Sequence, residues 1–393
     1  MKTILKILKF IIKKRYYFDL PSRKRLILIN SGGYKILNQA LGEKLYIIDL
    51  NKSLNLQIIL RVLFKCLIRK NLDPYIEEYI EYLKPKAVFC YAHNYMQFFR
   101  INKNKNIKYI TIQNGKNHGK NLFSVFEKKN SNNNFKCDFF FCHGDYDKKI
   151  CEKLVKAKYI KIGSFLNNSI KKQKKKYKKT ICYLSTYRNL KEQSYSSSHA
   201  MARDMSFTEF YKIDKIIVNF LTEYCKEKKY KLKILGSTNP AGKLNYNEDI
   251  FYKDSIKLKN WNYFPKKTFK ANYINTDENE ITCFIDSSLG YESMARKNKV
   301  AVFAVRGDYC KIKNCGFHDN YLPKKGLFWT SVFDLKKFRQ ILDSLIKLKK
   351  NKWEKELKKY NETIIKFDQG NKIFFSTLKK YNIKTDRNYF FFK

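Results

Sequence analysis

Ser287, Ser288, Leu289, Gly290 and Glu292 lie together in the run FIDSSLGYESMARKNKVAVFAVRGD, Phe284 to Asp308. Two hydroxyls ahead of a helical pattern can cap a helix or bind an anion, because the first N–H groups of a helix lack partners in their own helix. A phosphate at such a start meets those N–H groups and the positive end of the helix dipole. Gly290 would let a ligand approach the main chain, and Glu292 is expected in the first turn. The structural alternative makes Ser287 or Ser288 an ordinary N-cap and Glu292 a complement to the dipole.

The elements that must position these groups are apolar runs on either side, Ile281–Ile285 and Val300–Val305. Strand, turn, helix, strand is the reading, and such runs suit parallel strands buried on both faces and joined by a crossover helix. In a doubly wound sheet the loops at the carboxyl ends of the strands face the ligand. The first half repeats the pattern, with strands expected at Lys24–Asn30, Lys44–Ile48, Ala87–Tyr91, Lys108–Ile112, Asp138–Cys142 and Tyr159–Ile162, and helices at Leu54–Arg69, Pro74–Leu83 and from Asp145 to about Ala157.

Strand ends therefore nominate the remaining polar groups. Gly32 and Gly33 follow the first strand, and His93 follows Ala87–Tyr91. Gln113, Asn114 and Gly115 open a loop that continues through Lys116 to His118, and Asp145 follows the next strand. Amides and glycines of this kind form plain turns as readily as binding loops. His118, Asp145 and His93 are the expected bases, in that order, since an imidazole titrates near neutrality. In the second half, Thr180–Leu184 leads to Arg188, whose guanidinium suits a phosphate or carboxylate. Lys231–Leu235 leads to Gly236 and Ser237 in GSTNPAGK, which is not a P-loop: five residues separate Gly236 from Gly242, and Leu244 stands where Ser or Thr is required. No Asp-x-Asp metal motif stands at a strand end, so no metal is called for.

The strings SGG at 31–33, IQNG at 112–115, IGSFLNN at 162–168, YLSTYR at 183–188, DSSLGYESMARKNKVAVF at 286–303 and KKGLFW at 324–329, in this order, resemble the bacterial surface-carbohydrate biosynthesis proteins, which look like GT-B glycosyltransferases. The resemblance implies an α/β fold of two Rossmann-like domains facing a cleft, with C-terminal helices crossing back. Donor phosphate contact would fall to Ser287, Ser288, Leu289 and Gly290, ribose or sugar contact to Glu292, with Arg188, Gly236 and Ser237 flanking. Gly32, Gly33, Gln113, Asn114 and Gly115 would form the acceptor side. The implied substrates are a nucleotide-sugar and a lipid-linked or polysaccharide acceptor, with no cofactor required. Relatives tend to carry an acid where His93 stands.

With 393 residues and 44% hydrophobic content, the chain can build two cores. The expected division is 1–169, a basic linker at 170–179 (IKKQKKKYKK), and 180–393, because a run of like charge resists packing. The net charge of +47 attracts anionic surfaces and phosphorylated substrates. Its lysines are spread throughout, however, alongside 29 Tyr and 31 Phe, a profile of AT-rich coding. No RNA-recognition signature appears, so nucleic acid is not the expected partner. Ten cysteines without a C-x-x-C pair, and an N-terminus whose apolar positions are interrupted by Lys, indicate a reducing cytoplasm. Met1–Lys14, MKTILKILKFIIKK, reads as a basic amphipathic helix for an anionic membrane surface or for its own domain. Two other functions compete with glycosyl transfer: alcohol-phosphate transfer in the manner of teichoic-acid polymerases, and non-catalytic binding of RNA or membrane.

Overall fold

The computed structural model describes residues 15–19, 26–42, 45–50, 52–68, 74–116, 135–173, 179–187, 207–237, 248–265, 268–311, 317, 322–383 and 385. In chain order the first half runs β1 (Arg15–Tyr17), β2 (Leu26–Ile29), α1 (Tyr34–Leu41), β3 (Leu45–Ile48), β4 (Ser53–Asn55), α2 (Leu56–Ile68), α3 (Pro74–Leu83), β5 (Ala87–Cys90), α4 (Met96–Arg100), β6 (Lys108–Ile112), β7 (Phe135–Cys142), α5 (Asp145–Cys151), β8 (Val155–Lys161) and α6 (Phe165–Asn168). It continues with β9 (Thr180–Leu184), α7 (Phe207–Glu227), β10 (Lys231–Leu235), α8 (Glu248–Ser255), β11 (Trp261–Phe264), α9 (Phe269–Glu278), β12 (Ile281–Phe284), α10 (Ser288–Ala295), β13 (Lys299–Phe303), α11 (Arg306–Tyr309), β14 (Trp329–Thr330), α12 (Leu335–Lys347), α13 (Lys350–Leu357), α14 (Asn361–Ile364) and α15 (Lys372–Lys380).

Two six-stranded parallel sheets result, in the orders β3-β2-β5-β6-β7-β8 and β11-β10-β9-β12-β13-β14. Strands such as Leu26–Ile29, Ala87–Cys90 and Ile281–Phe284 are buried along their whole length, as parallel strands covered on both faces must be. Each order reverses once, between β2 and β5 and between β9 and β12. Adjacent loops leave in opposite directions there, opening a crevice at the carboxyl edge. Both reversals fall where the strand-end loops carry the nominated residues.

The last helix crosses back, as the resemblance implies. Phe374, Phe375 and Leu378 of α15 join Ile110, Ile112, Phe141 and Phe165 on one face of the first sheet. Phe374 meets Phe141 and Phe165 edge-on at centroid distances of 4.9 and 4.8 Å, the preferred geometry of aromatic quadrupoles. Asn168 Nδ2 donates to Ile162 O and Asn371 Oδ1, and Asn371 Nδ2 donates to Phe165 O and Ser169 Oγ. Gly163 bridges Phe367 at φ 78°, where a Cβ would lie 1.8 Å from Lys366 O, so only glycine fits.

Several expectations change. α5 ends at Cys151 rather than near Ala157, and Val155–Lys161 is an edge strand whose Val, Ala and Tyr alternate with Lys at the strand period. Leu335–Lys366 carries the three helices α12, α13 and α14. The basic run is not solvated throughout: Ile170 is buried, Lys172 Nζ donates to Arg296 O, and Gln173 N donates to Asp277 Oδ2 at 2.9 Å. Residues 174–178 and Met1–Lys14 lie outside the described residues. Among the described cysteines all are buried except Cys310, which is half-buried; burial pushes thiols such as Cys90 and Cys182 up to about 12, leaving them unreactive.

Candidate functional site

At the reversal of the second sheet, β12 ends and α10 begins at Ser288. Ser287 occupies the N-cap position with extended backbone, but its side chain makes no capping bond. The hydroxyl of Ser288 instead accepts from the main-chain N–H of Lys116, in the first sheet's loop, at 3.3 Å. Leu289 packs against the second core. Gly290 serves packing rather than ligand approach: a Cβ there would lie 2.3 Å from the Phe284 ring, so α10 could not cross β12 with a larger residue.

Glu292 is the fifth residue of α10, one turn beyond the expected first turn, so the dipole reading loses its basis. It is buried, and Oε2 accepts from Tyr273 OH at 2.7 Å. Across the domain boundary stands Tyr91, at the end of β5; burial first, then the Glu292 charge, push the Tyr91 and Tyr273 phenols well above their usual range. Gly33 is tied to the same tyrosine. Its φ is 75°, and a Cβ would fall 2.2 Å from the Tyr91 ring. Gly32 lies exposed beside it, its N–H donating to Asn30 Oδ1 at 3.0 Å. Gly33 and Glu292, from the two sheets, thus both lie near Tyr91.

In the first sheet's loops, His93 Nδ1 lies 3.1 Å from Asn114 Oδ1, which brings together two nominated residues from the ends of β5 and β6. Gln113 is buried, donates to Gly115 O and Asp147 Oδ1 at 2.8 and 2.9 Å, and accepts from His143 N at 2.9 Å. Lys116 Nζ is buried against Asp147 Oδ2 at 2.5 Å and Ile364 O at 2.6 Å, so the loop is clamped to the segment that crosses back. Burial pushes the Asp147 carboxyl up, but the Lys116 ammonium, His143 and the hydrogen bond from Gln113 together hold the group below the ordinary carboxylate value. His143 is wholly buried, neither ring nitrogen has a hydrogen-bond partner among the described residues, and burial lowers it to about 3.

Not every nominated residue comes to this place. Asp145 is partly exposed and pairs with Lys161 at 3.1 Å, which also holds Glu362. His118 and Arg188 lie outside the described residues. Gly236 and Ser237 brace neighbouring loops: Ser237 N donates to Glu248 Oε1 at 3.0 Å, its hydroxyl donates to Tyr187 O at 2.5 Å, and a Cβ on Gly236 would sit 2.4 Å from Tyr263 OH.

Two buried arginines were not singled out by sequence. Arg306 Nε donates to Asp286 Oδ2 at 2.8 Å, Nη1 to Asp214 Oδ2 and Phe210 O at 2.9 and 2.6 Å, and Nη2 to Thr186 Oγ1 at 3.3 Å. It ties the β9 and β12 loops across the reversal. Burial raises the Asp214 carboxyl and the Arg306 charge offsets this only in part, leaving the group above its ordinary value. Arg296 donates to Asp277 through Nε at 2.9 Å and through Nη2, and to Asn167 O and Ile170 O at 3.3 and 2.9 Å, locking the second domain to the end of the first. On the first domain's side, Leu50, Tyr75, Glu77, Gln97 and Arg100 line a cavity of about 240 Å³.

Chemically, the two reversals bring an uncapped serine at a helix start, a buried carboxylate and a His–Asn pair to facing loops. That set can hold an anion and hydroxyls, and can accept a proton. A family model described as "putative O-antigen biosynthesis protein" matches residues 110–382. No curated protein matches the chain. Among solved structures, the wall teichoic acid polymerase TagF is similar at TM-score 0.46 and 11% identity, covering 92% of this chain and 89% of its own. Sucrose-phosphate synthase from Thermosynechococcus elongatus is similar at TM-score 0.49 and 8% identity, with 91% and 98% covered. TarM from S. aureus is similar at TM-score 0.44 and 17% identity, with 77% and 57% covered.

Proposed function

Because the chain belongs to this O-antigen biosynthesis family, we propose that it is a glycosyltransferase that moves a sugar from a nucleotide-sugar to a surface glycan, carried on a lipid or already polymerised. The observation that carries this reading is the bond from Lys116 N to Ser288 Oγ, which joins the loop after β6 of the first sheet to the helix start at the reversal of the second. In the proposed reaction the bond from the sugar's anomeric carbon to the phosphate oxygen breaks and a bond from that carbon to the acceptor oxygen forms. The nucleotide leaves with the electron pair, and the acceptor proton passes to a base.

Ser287, Ser288 and the first N–H groups of α10 would receive the leaving phosphate, as a helix start favours an anion. The Ser288 hydroxyl accepts from Lys116 N and still has its own O–H to donate to the phosphate, so donor binding can leave the loops joined. Glu292 would accept from a ribose or sugar hydroxyl. His93 is the proposed base: with Nδ1 donating to Asn114, Nε2 is the nitrogen that takes the proton. His118 keeps a claim as base, and Asp145, paired with Lys161, is third. An acceptor on a lipid would have the enzyme work at the inner face of the cytoplasmic membrane as a peripheral protein.

The test is a melting panel of nucleoside mono- and diphosphates and their sugar conjugates, followed by product analysis. A ligand at about a hundred times its Kd adds about 2.7 kcal/mol of stability, a readable shift. Glu292→Gln should lower kcat/KM about ten- to a hundredfold, the loss of a charge-assisted bond worth roughly 1.5–3 kcal/mol. No shift with any member of the panel would sink the proposal. Phosphorus retained in the product would instead identify alcohol-phosphate transfer.

A further inference from the structure

No step proposed so far uses the cavity of about 240 Å³ in the first domain. Leu50, Tyr75 and Ile101 give it apolar walls, and three polar side chains of different kinds, Glu77, Gln97 and Arg100, also line it. Mostly apolar walls with a few polar groups to fix orientation are how proteins hold small ligands, and a volume just under the roughly 300–1,000 Å³ used for drug-sized ligands suits one ring rather than a chain. The walls are set from outside the cavity. Glu77 Oε1 accepts from Asn102 N at 2.6 Å, which joins the first turn of α3 to the chain just past α4. Lys103 Nζ donates to Phe98 O and Ile101 O at 2.7 and 2.8 Å and lies over the Phe98 and Tyr109 rings, so the end of α4 closes on a largely buried cation. Tyr75 OH accepts from Asn55 N at 2.6 Å, and its ring stands edge-on to Tyr79 at 5.7 Å. A site shaped before its ligand arrives loses less entropy on binding.

The lining chooses the ligand. A carboxylate only accepts, a guanidinium only donates, and an amide does both. Sugar hydroxyls both donate and accept, and the C–H faces of a sugar ring match Tyr75, Leu50 and Ile101. Glu77 and Arg100 carry opposite charges, so an acidic ring drawn to one would be opposed by the other, and a neutral ring fits best. The cavity also stands on the side of the sheet where the site lies. Leu50 is two residues past the end of β3, and Tyr95, two residues past His93, donates its hydroxyl to Gln97 Oε1. The chain that carries His93 to the crevice therefore continues directly into the cavity wall.

We propose that the cavity between α3 and α4 receives a neutral sugar ring of the acceptor, so that the acceptor already carries sugar when it binds. That the ring belongs to the acceptor rests on the transferase reading; that the cavity holds a neutral sugar does not. The test is saturation-transfer NMR of the full chain with the methyl glycosides of glucose, galactose, mannose and N-acetylglucosamine, and with glucuronate. Each is used at about ten millimolar, since a ligand of this size binds in roughly the millimolar range. The expected result is saturation transfer to at least one neutral glycoside in preference to glucuronate. Gln97→Trp, which puts an indole at an exposed position on the cavity's rim, and Glu77→Gln, which keeps an acceptor for Asn102 N but removes the charge, should each bind that glycoside about tenfold more weakly at the wild-type melting temperature.

No transfer to any neutral glycoside overturns the proposal, as does a preference for glucuronate. So does undiminished transfer in either variant, because the sugar would then bind elsewhere. Nucleotide melting shifts, measured on the same samples, report the transferase reading separately and should be equal in wild type and both variants. Their absence from the wild type, with saturation transfer retained, would defeat that reading and leave the sugar site standing.

Discussion

Lys116 reaches both ways from one position: its main-chain N–H donates to Ser288 of the second domain, and its ammonium is buried against Asp147 of the first, 2.5 Å away. The loop expected to touch substrate is therefore anchored by a desolvated ion pair. Removing one member of such a pair leaves the other charge uncompensated, which is where most of the cost lies.

Lys116→Met should accordingly destabilise the protein by about 3–5 kcal/mol in urea unfolding, whereas Lys116→Met combined with Asp147→Leu should recover much of that loss. Simple additivity of the two single losses would show that the ion pair is not the unit holding this loop.

Acid stability should depend on His143. Its folded value of about 3 lies below the ordinary 6.5, so between these values the unfolded chain binds a proton that the folded chain refuses. Stability is then complete above about pH 6.5 and falls as pH falls toward 3. At roughly 1.4 kcal/mol per unit, about 2–3 kcal/mol is gone by pH 4.5. The depressed Asp147 carboxyl adds a further loss below the usual carboxylate range. Melting curves of His143→Leu should be flatter than wild type between pH 6.5 and 4.5; identical slopes would remove His143 from the account.

Gly290→Ala tests packing against ligand approach. A methyl group placed 2.3 Å from the Phe284 ring should cost about 1–3 kcal/mol, and Phe284→Leu in the same chain should relieve part of it. An unchanged melting temperature with weaker nucleotide binding would restore the ligand reading.

The sheets were legible because burial on both faces writes itself as largely apolar runs, so Lys108–Ile112 and Thr180–Leu184 coincide with their strands to the residue. The strand Val155–Lys161 was expected only from Tyr159; its first half was missed because an edge strand alternates with Lys and blends into the helix before it. The site was legible only as far as strand ends nominate loops. Ser288, His93 and Asn114 came from that rule; Asp147 and Arg306 could not, since their meaning lies in partners 31 and 92 residues away. In a chain with 82 Lys and Arg, a buried arginine has no local signature. Several residues in the shared strings turn out to join the halves: Asn167 meets Arg296, and Asn168 meets Asn371.

The return of α15 onto the first sheet also sets an order of events during synthesis. Phe374, Phe375 and Leu378 finish a core whose other members include Leu28, Phe89, Ile110 and Phe141, so the ribosome must deliver the whole second sheet before the first can shed its last water-facing apolar patch. A nascent chain stalled anywhere after Lys161 and before Lys372 would display that patch to chaperones and proteases. Completion of translation thus becomes a structural checkpoint: only a chain read through to its returning helix can hide the face that marks it as unfinished.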